Sequence, residues 1–87
     1  MKLYHATTPK KAKKYRESGF IRKPVRGFTT ILGAMAWAVK VSRTVIYEIE
    51  PEKVYKLPDH HNIFGEAWWA DENCVEFNCV FSADVDA

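Results

Sequence analysis

Residues 30–50, TILGAMAWAVKVSRTVIYEIE, decide the fold class of this chain. From Ile31 to Val41 the apolar residues recur at helical spacing, and Thr30 stands where an N-cap side chain accepts a backbone hydrogen bond. From residue 44 to residue 50 the side chains alternate with the period of a strand, and Pro51 ends the run. The stretch therefore predicts a helix followed directly by a strand.

The residues before this stretch predict a strand, a helix and a turn. Residues 2–6 alternate as in a short strand. Thr8 and Pro9 are typical of a helix start, and Gly19 is typical of a helix end. Proline and glycine at residues 23–27 favour a turn, and residues 28–30 are expected to be briefly extended.

The residues after the stretch predict a mostly extended C-terminal half. The expected strands are 54–57, 66–70 and 74–82, with a polar loop at 59–65. The last strand is expected to turn Val75, Phe77, Cys79 and Phe81 towards the core. Strands before, between and after two helices predict an α+β fold: one domain over residues 1–82, its two helices packed on a mainly antiparallel sheet, and a frayed tail at 83–87.

Charge is distributed unevenly along the chain. Residues 1–43 hold eleven lysines and arginines and one acid, whereas residues 44–87 hold ten acids and two lysines. A small domain folds its halves onto each other, so we expect a cationic side to meet an anionic side. Such a seam suits a ligand with a phosphate end, although the two halves also simply neutralise each other.

Several classes of protein and site are disfavoured by the sequence. No run approaches the roughly 20 apolar residues of a membrane span, and no charged leader precedes an apolar segment, so a cytoplasmic location is expected. Cys74 and Cys79 are too few for a disulfide framework. His60 and His61 lack the spacing of zinc ligands, so no metal is predicted.

Two short strings resemble a known superfamily. Residues 3–7 read LYHAT, and residues 27–30 read GFTT and open a helix. Together they resemble the NAD-binding half of the ADP-ribosyltransferase-like fold, which includes mono-ADP-ribosyltransferases and RNA 2′-phosphotransferases. The resemblance implies a split β-sheet and a nucleotide ligand such as NAD. Ala6 replaces the usual glycine, Phe28 the usual tyrosine, and the chain is short, which indicates a minimal or degenerate member.

The resemblance also implies roles for particular residues. His5 would bind the nicotinamide ribose, and Phe28 would stack on the nicotinamide. Glu72 or Glu76 would be the catalytic carboxylate that stabilises an oxocarbenium-like transition state, in transfer of ADP-ribose or hydrolysis of NAD. The residues expected to contact the cofactor are His5, Thr7, Arg26, Phe28 and Thr30.

Other interpretations of the same residues remain open. A histidine in a strand is often satisfied within the core, and both glutamates also suit a solvated surface. A non-catalytic alternative is that the basic face of residues 10–26 binds nucleic acid or an acidic protein. The sequence does not predict an oligomeric state.

Overall fold

Six strands and two helices make up residues 1–83, the part of the chain that the computed structural model describes. In chain order they are β1 (Leu3–Thr7), α1 (Pro9–Ser18), β2 (Val25–Phe28), α2 (Ile31–Lys40), β3 (Val45–Ile49), β4 (Val54–Asn62), β5 (Gly65–Ala70) and β6 (Phe77–Ser82). The strands form one antiparallel sheet in the order β4-β5-β2-β1-β3-β6. The α+β class predicted from the sequence is confirmed.

Both helices begin and end where the sequence predicts. The Thr8 hydroxyl accepts from the backbone N–H of Lys11, and Gly19 ends α1 in the left-handed conformation, with φ at 85°. Thr30 caps α2 by accepting from the N–H of Gly33 at 3.0 Å. Neither helix in residues 1–83 is long and apolar enough to cross a membrane.

The sheet opens at its centre, between β1 and β2. β1 pairs with β3 over five residues and β2 pairs with β5 over four, whereas β1 and β2 share only the pair Tyr4 and Phe28. Beyond that pair, the end of β1 and the start of β2 diverge. This is the split sheet that was expected, and it lies between the two strands that carry His5 and Phe28.

Gly27 allows β1 and β2 to meet at their one point of pairing. A Cβ atom at this position would lie 3.0 Å from both the Leu3 Cβ and the Tyr4 carbonyl oxygen. Contacts that short require neighbouring atoms to shift by a few tenths of an ångström, so a side chain at this position would press β1 away from β2. The expected turn at 23–27 is wrong for residues 25–27, because Gly27 serves this close approach inside β2.

Three apolar clusters, one on one face of the sheet and two on the other, hold the fold together. On one face, α2 packs Ala34 and Ala38 against Ala6, Phe28 and other strand residues. On the other face lie two further groups of strand side chains, one of which packs against Ala12 of α1. β3 lies between the two helices, and its side chains are buried on both faces of the sheet. The sequence predicted only one buried face for this strand.

Two strands differ from their predicted bounds. The polar loop expected at 59–65 is wrong, because β4 continues to Asn62 and forms a hairpin with β5. The register shifts between Lys56 and His61, and Asp59 there has a positive φ of 63°. The strand therefore bulges at the residues that indicated a loop and then resumes its pairing.

The last strand starts later and faces differently than expected. β6 begins at Phe77, whereas Cys74 makes an isolated bridge to Ile21. Val75 is 71% exposed, Cys79 is exposed, and Phe81 pairs with Ile46 after a register shift. Of the expected apolar face, Phe77 meets the core; Cys79 shares its face but is exposed on this edge strand, and the register shift places Phe81 beside Ile46, on the opposite face.

The predicted frayed tail falls almost entirely outside the described residues. Ala83 is described, and its N–H donates to the Thr44 oxygen at 2.9 Å. Residues 84–87 lie outside the described range.

Candidate functional site

A cleft of about 830 Å³ occupies the opening between β1 and β2. Its walls come from both helices, both central strands, the segment before β2, Arg43 in the loop between α2 and β3, and the β4–β5 hairpin. The residues that line it include Tyr4, His5, Lys11, Lys14, Tyr15, Arg22, Arg26, Phe28, Trp37, Lys40, Arg43, Leu57 and Asp59. Because the sheet is open here, the cleft is reached by groups from both of its faces.

Positive charge dominates the cleft. Six lysines and arginines line it, against one acid, Asp59, among the described lining residues. They come from separate parts of the chain: α1, the segment before β2, β2 itself, the end of α2 and the loop that follows. The fold therefore gathers in one cleft cations that lie up to 32 residues apart, counted from Lys11 to Arg43.

Arg43 is the cleft cation that the fold fixes most clearly. Its Nη1 donates to the carbonyl oxygen of Ala6 at 2.9 Å, and the residue is half-buried. This hydrogen bond ties the guanidinium to the end of β1 while its remaining donors stay free for an anion. Arg43 is thus positioned before any ligand arrives.

Aromatic rings form the apolar part of the cleft. The ring centroids of Phe28 and Trp37 lie 6.3 Å apart at a tilt of 39°. The Lys40 ammonium stands 5.9 Å from the centre of the Trp37 ring. Trp37 is 37% exposed, so it presents a flat face to the cleft beside a cation.

His5 bridges the opening with its side chain. Its Nδ1 lies 2.6 Å from the carbonyl oxygen of Arg26, and its Nε2 lies 3.1 Å from the hydroxyl of Tyr15. A carbonyl only accepts, so Nδ1 carries the proton and, in the neutral ring, Nε2 accepts from Tyr15. The Tyr15 oxygen in turn accepts from the Thr7 hydroxyl at 3.3 Å.

The surroundings of His5 keep its imidazole neutral. Loss of water around the ring is the largest cause that lowers the pKa of His5, from 6.5 to about 4, and the charges of Arg43 and Lys11 lower it further. The hydrogen bond to the Arg26 carbonyl acts in the opposite direction and is outweighed. At neutral pH both ring nitrogens are therefore engaged within the protein, and neither is free to donate to a ribose hydroxyl.

The structure brings together three of the five residues expected to bind a cofactor. His5, Arg26 and Phe28 all line the cleft. Thr7 and Thr30 do not line it: Thr7 is buried and bonds to Tyr15, and the Thr30 hydroxyl caps α2 and donates to the Phe64 oxygen at 2.6 Å. Both threonines hold neighbouring segments in place.

The two candidate carboxylates do not line the cleft with His5 and Phe28. Glu72 accepts hydrogen bonds from the backbone N–H groups of Glu52 and Lys53, at 2.7 Å and 2.6 Å. The Lys53 bond, followed by the Glu52 bond, lowers the pKa of Glu72 below its usual value. Glu76 is exposed in the segment before β6. The Glu72 carboxylate therefore holds the backbone of the loop before β4 in place.

Sequence reasoning missed Trp37, Lys40 and Arg43 as site residues. They recur at intervals of three along α2 and the turn after it, which places them on one side of the chain. Lys11 and Tyr15 of α1 show the matching four-residue spacing. These spacings group the side chains within each segment, but the groups meet in one cleft only because of how the helices pack beside the open part of the sheet.

Other predicted groups divide between cleft and surface. Of the basic residues at 10–14, Lys11 and Lys14 line the cleft, as Arg22 does from the segment before β2. The N–H of Lys23 instead donates to the Asn73 side chain at 2.8 Å. Within residues 1–83 no group of three or more histidine, cysteine, aspartate or glutamate side chains is arranged to hold a metal ion.

No protein-family model, curated protein or solved structure matches this chain at a significant level. The fold and the cleft therefore define it as a small α+β domain with a cationic, aromatic-lined cleft in a split sheet.

Proposed function

We propose that this protein binds a nucleotide with a phosphate or diphosphate group, NAD or a related dinucleotide, in the cleft between β1 and β2. The observation that carries the proposal is the convergence of six cations and the rings of Phe28 and Trp37 on one opening in the sheet. Phosphate oxygens need several donors, and bases or nicotinamide need a flat apolar surface. The cleft supplies both within about 830 Å³.

The two parts of such a ligand would occupy different parts of the cleft. Arg43 and Lys11 both act electrostatically on His5, so an anion beside the imidazole meets two positive charges. The ring of Trp37, with Lys40 next to it, offers the stacking surface. In this arrangement the neutral imidazole of His5 connects β1 to the Arg26 carbonyl and to Tyr15 across the opening, and it carries no charge to the ligand.

The contents of the cleft favour binding of a nucleotide over transfer of ADP-ribose. Stabilising an oxocarbenium ion requires a carboxylate close to the ribose. The only acid among the described residues that line the cleft is Asp59, whereas Glu72 is engaged by the backbone of residues 52 and 53. The site therefore supports nucleotide binding more directly than it supports catalysis.

Calorimetric titration with NAD, ADP-ribose and AMP tests the proposal. We expect binding at low salt that weakens as salt is raised, and weakens by tenfold or more in Arg43→Gln, since a charge-assisted contact is worth roughly 1.5–3 kcal/mol. Arg16→Gln is the matched control, because Arg16 lies on α1 but faces a different depression, beside β6. Absence of binding by all three compounds, or equal weakening in both variants, would contradict it.

The alternative from the sequence, a basic face at residues 10–26 that binds nucleic acid or an acidic protein, shares this cleft. Lys11, Lys14, Arg22 and Arg26 belong to that face and also line the opening. The same cations can therefore serve a longer phosphate-bearing ligand as well as a single nucleotide.

A further inference from the structure

Beside the cleft, one part of the sheet carries aromatic side chains that α2 does not cover. Arg26 of β2 is paired with Trp69 of β5, which is paired with Tyr55 of β4, so the three side chains form a row on one face. Tyr4 lies on the same face, since its partner Phe28 is two residues from Arg26. We name these four residues the aromatic platform.

The platform is accessible, unlike the neighbouring positions under α2. Tyr55 is 48% exposed, Arg26 is exposed, and Trp69 and Tyr4 are half-buried. By contrast, Phe28 and Ala67, the next pair on this face of β2 and β5, are buried. The rings of Tyr55 and Trp69 lie 4.9 Å apart between centroids, with a tilt of 32°, and so form a tilted aromatic pair towards the edge of the sheet.

The platform continues into the cationic cleft. Tyr4 and Arg26 belong to both, and Leu57, two residues after Tyr55 in β4, also lines the cleft. The acid nearest to Tyr4 on this face, its pairing partner Glu48, is already bridged by Lys2 at 3.6 Å. An anionic chain that leaves the cleft over Arg26 therefore passes directly onto exposed rings.

From this juxtaposition we propose that the aromatic platform binds single-stranded nucleic acid, with bases stacked on Tyr55 and Trp69 and phosphates held by Arg26. Bases of any sequence stack on aromatic rings, and a groove of lysines and arginines follows the backbone. An acidic protein would use the cations but has no need of an exposed ring beside a half-buried one. The proposal rests on the proposed function, since one end of the strand would place its terminal nucleotide in the cleft.

The test measures binding of fluorescein-labelled octamers, oligo(U) and oligo(dT), by anisotropy at low salt. Tyr55→Ala is expected to weaken binding by about tenfold, because stacking of one base contributes roughly that factor or more. Tyr55→Phe keeps the ring and is expected to bind as the unchanged protein does. Phe64→Ala is the matched control: it also lies on the β4–β5 hairpin, is 47% exposed, and is not part of the platform.

The outcomes separate this inference from the proposed function. Tighter binding of oligo(U) than of oligo(dT) would identify RNA as the ligand. Equal binding would show that the platform accepts RNA and DNA alike, and both results support the proposal. Absence of octamer binding, equal weakening by Tyr55→Ala and Phe64→Ala, or binding of poly-glutamate as tight as that of the octamers would overturn it. NAD or ADP-ribose titrated into Tyr55→Ala reports on the cleft alone, so retained nucleotide binding leaves the proposed function standing when the platform fails.

Discussion

The Nδ1 atom of His5 and the carbonyl oxygen of Arg26 lie 2.6 Å apart, and this hydrogen bond spans the opening at the centre of the sheet. Backbone pairing between β1 and β2 has already ended there, after the single pair of Tyr4 and Phe28. A side-chain hydrogen bond thus connects β1 and β2 where backbone hydrogen bonds connect the other neighbouring strands.

Replacing His5 by phenylalanine is expected to lower the free energy of unfolding by about 1–3 kcal/mol. The substitution keeps an aromatic ring but removes the hydrogen bonds that the imidazole makes to the Arg26 carbonyl and the Tyr15 hydroxyl, so that the Tyr15 hydroxyl keeps only its contact with Thr7. Urea unfolding at pH 7 measures the difference. His60→Phe is the control, since His60 is exposed and its hydrogen bond within the described residues is to the Pro58 oxygen of its own strand. Equal loss of stability in the two variants would contradict the stabilising role of the His5 hydrogen bonds.

Stability is expected to rise with pH between about 4 and 6.5 because of His5. Burial lowers the pKa of its imidazole to about 4, whereas the unfolded chain titrates near 6.5, so between these values the unfolded state binds more protons. The native state is therefore penalised as pH falls through this window, by at most about 3 kcal/mol. The check is the difference in unfolding free energy between the unchanged protein and His5→Phe, which should grow as pH rises from 4 to 6.5. A constant difference would show that His5 titrates normally.

Glu72 is expected to stabilise the loop before β4 by holding two of its backbone N–H groups. Its carboxylate holds the N–H groups of Glu52 and Lys53, so Glu72→Ala should speed hydrogen exchange at those two amides. Glu76→Ala, at an exposed position four residues later, should leave both amides unchanged. Measured NAD hydrolysis that is lost in Glu72→Gln while both amides stay protected would instead support the catalytic role that the resemblance implies.

Local patterns predicted the elements whose ends are set by local chemistry. Thr8, Gly19 and Thr30 bound the helices because caps satisfy backbone groups within one turn. β4 and β6 were misjudged because each contains a bulge, and a bulge changes the face of every later side chain while leaving the residue types the same. Gly27 indicated a turn because its true constraint, the approach of β1, is long-range.

The site was predictable in part for the same reason. His5 and Phe28 belong to the two strings that resemble a known superfamily, and Arg26 directly precedes the second string; these strings lie on the two adjacent central strands. Arg43 and Trp37 reach the cleft only because α2 packs on one face of a sheet that opens beside it, which no local spacing reveals. The role of Glu72 depends on a loop 19 to 20 residues earlier in the chain.

Amide chemical shifts recorded during titration with NAD report directly whether the ligand enters the opening between β1 and β2. We expect shifts that saturate and cluster at the opening, at His5, Gly27, Phe28 and Arg43, and that shrink in Arg43→Gln. Shifts confined to outward-facing positions such as Lys10 and Lys13, or no shifts at millimolar NAD, would contradict that expectation.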